Sequence, residues 1–217
     1  MKRILTIVLL CSLLAGLAAT ESKLRFGFLA PKDAKTSFIG GFTYGSRIDE
    51  AVGLETSADF FYKSYTEKRK VASGTTPGGT DFITVQKSTD INLIYVPLMA
   101  NLNVYLPIRS AVNPYVSGGI GWGLLWEDVF IAAYENDDNE TVPAYDNVKF
   151  YNGFTWNIAA GVSYKLGSKS NVFGEVFYHG SKMKRDFDQT EYGITWDEVD
   201  MSGIGMRLGV EFSYNLR

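Results

Sequence analysis

The chain carries one histidine, in the short run YHGSKM. His179 and Ser181 stand two residues apart, with Glu175 and Glu191 close in sequence. A base, a hydroxyl and a carboxylate are the components of an acyl-transfer site, where the base takes the hydroxyl proton and the carboxylate orients the base. The plainer reading is a hydrogen-bonded histidine in an interior or at a rim. A second cluster, Glu135, Asp137, Asp138 and Glu140 in YENDDNETVPAYDN, could attract a divalent cation. It lacks the ligand spacing and central glycine of an EF-hand loop, so it reads as a solvated acidic loop. The glycines of SGGIGWG have no βαβ unit around them, and SGTTPGG lacks the Lys-Ser/Thr of a phosphate loop. Cys11 is the only cysteine, which excludes an intrachain disulfide and a cysteine-built zinc site. No catalytic, cofactor or metal site is specified outright; His179 and Ser181 are the candidates.

The elements that must hold these residues announce themselves by alternation. In MSGIGMRLGVEFSYNLR, Ile204, Met206, Leu208, Val210, Phe212 and Tyr214 alternate with Gly203, Gly205, Arg207, Gly209 and Glu211. Period two is the signature of a strand with two unlike faces. The same split holds in KLRFGFLA, TSFIGGFTYGSRI, AVGLETSADFFYKSY, YVPLMANLNVYL, PYVSGGIGWGLLWE, FYNGFTWNIAAGVSYKL and, less cleanly, NVFGEVFYHGS. That makes eight strands, several alternating for 13 to 17 residues. Soluble strands average about 5–6 residues, whereas a tilted membrane strand needs about 9–11 in the hydrocarbon alone.

The non-apolar face is mostly glycine and charge, a poor solvated surface but a suitable lining for a narrow tube. The chain is 46% hydrophobic and 14% aromatic. Its first residues, MKRILTIVLLCSLLAGLAATES, resemble a secretory leader with a basic start, an apolar Ile4–Leu14 stretch and cleavage near Ala19. Beyond it no apolar run of about 18 residues occurs, so no helical span is indicated. Without Lys2 and Arg3 the mature chain has 19 basic and 24 acidic residues, net −5, and nothing in it points to nucleic acid. The expectation is all-β: an eight-stranded antiparallel transmembrane β-barrel over 20–217, preceded by a cleavable signal peptide over 1–19. Outer connections fall at about 31–35, 66–87, 128–149 and 182–200, and short periplasmic ones at about 49–51, 107–113 and 167–170. The presumed inward face carries Arg25, Arg47, Glu55, Asp59, Lys63, Glu127, Lys165, Glu175, Arg207 and Glu211. Unpaired charges there would be costly, so they should pair across strands as a closed polar plug.

VPLMANLNVYLP followed by NPYVSGGIGWG resembles the outer-membrane protein β-barrel domain family, the small OmpA/OmpX-type barrels of Gram-negative bacteria. The resemblance implies an integral outer-membrane location among lipid and lipopolysaccharide. RLGVEFSY is similar to the C-terminal signal read by the barrel-assembly machinery, through Arg207, Gly209, Phe212 and Tyr214, although the chain ends in Asn215-Leu216-Arg217 rather than an aromatic residue. His179 and Ser181 look like the His-x-Ser of outer-membrane lipid A deacylases, with Lys182 where that pattern expects Asn.

The family is functionally mixed, so architecture does not choose a role. The reading put first is non-enzymatic: envelope support, or interaction through outer loops with a partner the sequence does not name. The second is a conduit for small hydrophobic molecules with a lateral opening, which an apolar chain of inward residues would favour. The third is a lipid A-modifying hydrolase, which a lipid-facing His179 would favour.

Overall fold

A computed structural model describes residues 21–75, 81–106, 108, 111–135, 141–186 and 196–213. The leader and Glu191 lie outside the described residues, as do Asp137, Asp138, Glu140 and Tyr214. Long strands run up and down: β1 (Glu21–Pro31), β2 (Ser37–Arg47), β3 (Val52–Thr75), β4 (Asp81–Tyr105) and β5 (Val112–Ile131). A two-stranded ribbon, β6 (Tyr134–Glu135) with β7 (Thr141–Val142), follows. The wall resumes with β8 (Tyr145–Lys165), β9 (Ser170–Asp186), β10 (Trp196–Asp200) and β11 (Gly203–Ser213).

β10 and β11 share one register on β9, with Asp200 opposite Lys182 and Gly203 opposite His179. They form a single eighth stave interrupted at Met201 and Ser202. β11 pairs with β1, and β8 pairs with both β5 and β9, so the sheet closes into an eight-stranded antiparallel barrel. Closure satisfies the backbone within the sheet, which lipid requires because it offers no hydrogen-bonding partners.

The two faces are inverted relative to a soluble protein. Leu208 is 71% exposed and its neighbour Arg207 is 3% exposed; Ile158 is 56% exposed and Asn157 is 5%. Apolar side chains cover the outside, and polar and aromatic ones fill the tube. The inward glycines are sockets for that filling. A Cβ on Gly123 would come within 2.2 Å of Met183 Cε and 2.8 Å of the Tyr95 ring, and one on Gly161 within 2.7 Å of the Tyr115 ring. An aromatic from one strand therefore needs a bare position on another.

Two outcomes differ from the sequence expectation. The outer connections are shorter, because β3 continues to Thr75, β4 begins at Asp81, β9 reaches Asp186 and β10 begins at Trp196. Past Thr66 the sequence turns polar on both parities, through Glu67, Lys68, Arg69 and Lys70, so alternation fades while the ladder continues, with register shifts between Glu67 and Lys68 and between Lys70 and Ala72. In addition, the β3–β4 ladder skips Asp59 and Phe60 opposite Pro97 and Val96. Pro97 has no N–H to contribute at that position.

Candidate functional site

The lumen is built in layers, each set by the inward positions of neighbouring strands. At the periplasmic end Lys23 Nζ lies 2.5 Å from Glu55 and 3.2 Å from Glu211. Arg47 donates toward Glu21 at 2.9 Å and Glu211 at 3.4 Å and stacks on the Tyr105 ring at 4.2 Å. One step up, Arg25 grips Asp59 through Nε at 2.8 Å and Nη2 at 2.6 Å. Arg207 reaches the same carboxylate at 3.1 Å and Glu175 at 2.7 Å, with its guanidinium 4.0 Å from the Phe177 ring. Tyr115 donates to the second oxygen of Glu175 at 2.8 Å. Arg25, Asp59 and Arg207 are all buried, so each charge depends on the others rather than on water.

Above this network Tyr95, Thr155, His179 and Ser181 meet. His179 Nε2 is 2.7 Å from the Tyr95 hydroxyl and 3.0 Å from Thr155 Oγ1. The Tyr95 hydroxyl donates to Ser181 Oγ at 3.0 Å. His179 and Ser181 are thus linked through a tyrosine, and both are buried on the inward face. Glu175, which could have oriented the base, is occupied by Arg207 and Tyr115.

Over that quartet lies an apolar layer: Leu29, Ile39, Phe61, Leu93, Leu125 and Met183, with Tyr151 and Met201 packed among them. At the outer mouth the Tyr151 hydroxyl lies 2.9 Å from Glu127 and 2.8 Å from Asp197, and Lys149 stands 3.6 Å and 3.8 Å from the same two carboxylates. In the charged layer, among Lys23, Arg25, Asn101, Tyr115 and Glu175, the free space is about 10 Å³, near the lower limit for one water molecule.

The ten charges expected inside therefore divide. Arg47, Glu55 and Glu211 join Glu21 and Lys23 in a lower group, Arg25, Asp59, Glu175 and Arg207 form the group above it, and Glu127 belongs to the mouth cluster. Lys63 is half-buried and donates to the Thr36 carbonyl at 3.2 Å, away from the plug. Lys165 is exposed at the periplasmic rim, where its strand ends and a long side chain reaches water. Sequence reasoning missed Glu21 and Lys23, which continue the parity of Arg25 four and two residues earlier. It also missed the lumenal tyrosines, although Tyr95 and Tyr115 share parity with the glycines and asparagines.

Of the assembly-signal residues, Arg207 and Gly209 face inward and Phe212 faces outward. The second strong feature of the surface is a groove of about 680 Å³ on the outside of β8 and β9, walled by Trp122, Phe154, Trp156 and Tyr178. Beside it the β8–β9 ladder skips Gly153 and Phe154 opposite Met183 and Lys182.

The family model for the outer membrane protein beta-barrel domain matches residues 12–212. No curated protein matches. Among solved structures the chain is similar to the outer membrane protein OprG from Pseudomonas aeruginosa, at 17% identity over 90% of this chain and 96% of that one, with a TM-score of 0.48. It is similar to Neisserial surface protein A at 13% identity over 89% and 95%, with a TM-score of 0.49. Outer Membrane Protein W of E. coli gives 14% identity over 90% and 98%, with a TM-score of 0.43.

Proposed function

The chain belongs to the outer membrane protein β-barrel domain family, and from that premise we propose that it is a closed, non-enzymatic barrel working through its outer rim and lipid-facing wall. It resides in the cell outer membrane. The observation that carries the reading is the filled lumen. The charged network, the Tyr95 quartet and the apolar layer occupy successive levels, and eight strands leave an interior only about wide enough for side chains to fill. A solute or ion column finds no continuous space there. His179 and Ser181 point into this packed interior, away from the acyl chains that a lipid hydrolase must reach.

Recognition of RLGVEFSY by the barrel-assembly machinery during biogenesis is part of this reading, because Gly209 and Phe212 keep the alternation that a strand-pairing signal needs. The test is planar-bilayer recording of the purified, refolded protein together with mass spectrometry of lipid A from cells with and without it. Silence in the bilayer and unchanged lipid A are expected. Reproducible unitary conductance, or a lost acyl chain that depends on both His179 and Ser181, overturns the proposal.

The conduit reading is favoured by one observation, the apolar layer of Leu29, Ile39, Phe61, Leu93 and Leu125 above the polar plug. A small hydrophobic molecule entering from outside would meet matching surface, then a charged floor, and would have to leave sideways. Uptake of an apolar fluorophore into liposomes containing the barrel, with no ion conductance, would put this reading first.

A further inference from the structure

The outward side of β9 carries two glycines, over which Trp156 and Leu208 of the neighbouring strands lean. Gly174 and Gly180 face out among Val172, Val176 and Tyr178 on the same strand. Three depressions follow one another along it. The upper groove shares Tyr178 with a second depression of about 540 Å³ over Ile158, Ala160 and Ile204. That one shares Ala160 and Val176 with a third of about 1160 Å³ over Val162, Gly174, Met206 and Leu208. Together they make one furrow. It descends the wall from the outer lip into the lipid-facing band, aromatic at the top and mixed aliphatic and aromatic below.

The top of the furrow differs in chemistry from its floor. Lys32, Lys182 and Lys184 line the upper groove and no carboxylate does. Their side chains are 61%, 63% and 52% exposed, and their ion pairs, at 3.3 Å to Asp200 and at 3.3 and 3.4 Å to Glu198, are surface pairs. Such pairs contribute about 0–1 kcal/mol, so the ammonium groups are cheaply redirected. Beneath them Trp156 and Tyr178 stand with ring centroids 5.5 Å apart, and the Trp156 indole lies over Gly180, where a Cβ would approach it to 2.3 Å. Aromatic rings at this level suit the boundary between headgroup and hydrocarbon. Below these rings the strand runs four residues from Tyr178 to Gly174, about 13 Å, past Val176.

Cations over aromatics over a small-residue furrow complement one kind of molecule: phosphate above, sugar or ester at the boundary, acyl chain below. We propose that the β8–β9–β11 face holds one phosphorylated multi-acyl glycolipid of the outer leaflet, lipid A, with its phosphate on Lys32, Lys182 and Lys184 and one acyl chain below the Trp156–Tyr178 pair, along Ala160, Val176 and Gly174. The inference rests on the reading of a barrel that works through its wall.

The experiment is native mass spectrometry of the full mature chain, refolded in detergent and titrated with lipid A, dephosphorylated lipid A and dioleoyl phosphatidylglycerol. Folding of each variant is checked by heat-modifiable mobility. The wild type is expected to retain one lipid A. Lys182→Gln/Lys184→Gln removes the phosphate contacts, and Ala160→Phe fills the furrow while leaving the lysines untouched. Each is expected to weaken retention at least tenfold. Dephosphorylated lipid A should bind the wild type as weakly as lipid A binds the lysine variant. Equal retention by all three proteins overturns the site, and phosphatidylglycerol held as tightly as lipid A overturns the assigned occupant. Neither result alters bilayer conductance, so failure of the lipid site and failure of the closed-barrel reading are read separately.

Discussion

Asp59→Asn should be among the most damaging single changes in the lumen. The carboxylate takes three charge-assisted contacts from two guanidinium groups, at 2.8 and 2.6 Å from Arg25 and 3.1 Å from Arg207. Around it the charges balance: Arg25 and Arg207 against Asp59 and Glu175. The amide keeps the size but loses the charge, leaving two buried guanidinium groups to share Glu175. Breaking a buried pair by removing one partner costs about 3–5 kcal/mol. At 1.4 kcal/mol per decade this is roughly 10²- to 10⁴-fold in the folding equilibrium. The assay is urea unfolding of the refolded protein in lipid vesicles, followed by tryptophan fluorescence. The double variant Arg25→Met/Asp59→Leu should regain most of the loss, because Arg207 and Glu175 remain a matched pair and the apolar replacements need no solvation. A cost below about 1 kcal/mol for Asp59→Asn, or a double variant no better than the single, would refute the reasoning. It would mean that water in the lumen already solvates these charges.

Gly123→Val should destabilise by about 1–3 kcal/mol in the same assay, because its Cβ enters space held by Met183 and Tyr95. In a Cys11→Ser background, Ile158→Cys and Leu208→Cys should take up a lipid-soluble spin label that reports hydrocarbon, and Asn157→Cys should not; the reverse pattern would place the faces wrongly. Replacing residues 132–144 with a tight turn should leave assembly unimpaired on heat-modifiability gels, since β6 and β7 form a sheet of their own. At the outer lip, burial works to raise the Asp200 carboxyl, but hydrogen bonds from Ser202 and the Lys32 ammonium outweigh it and hold it below its ordinary value. Its contribution is therefore present above the unfolded carboxylate range and lost as pH falls through the lowered folded value. Acidification should raise amide exchange at Lys32 and Asp33, whose N–H groups bond to Ser202 and Asp200, before the barrel unfolds.

Strand periodicity settles the sidedness of this chain locally. Leu208 and Arg207 are adjacent, a pleated strand sends neighbours to opposite faces, and only one orientation puts glycine and charge inside a narrow tube. Eight such strands, with short turns on one side, imply closure. The ends of the strands were not legible, because both parities turn polar there and alternation vanishes while β3 and β4 go on pairing past Glu67 and Lys87. Nor could local pattern tell which charges meet. Arg207 and Asp59 are 148 residues apart, and Lys23 reaches Glu55 across β2 and Glu211 because closure brings β1 beside β11. The role of His179 was likewise a tertiary matter. Two residues from Ser181 it suggested a catalytic pair, but Tyr95, 84 residues away, comes between them with its hydroxyl. Side-chain direction is a property of one strand and can be read from it. Partner choice depends on the register and shear of the closed sheet, which no single strand encodes.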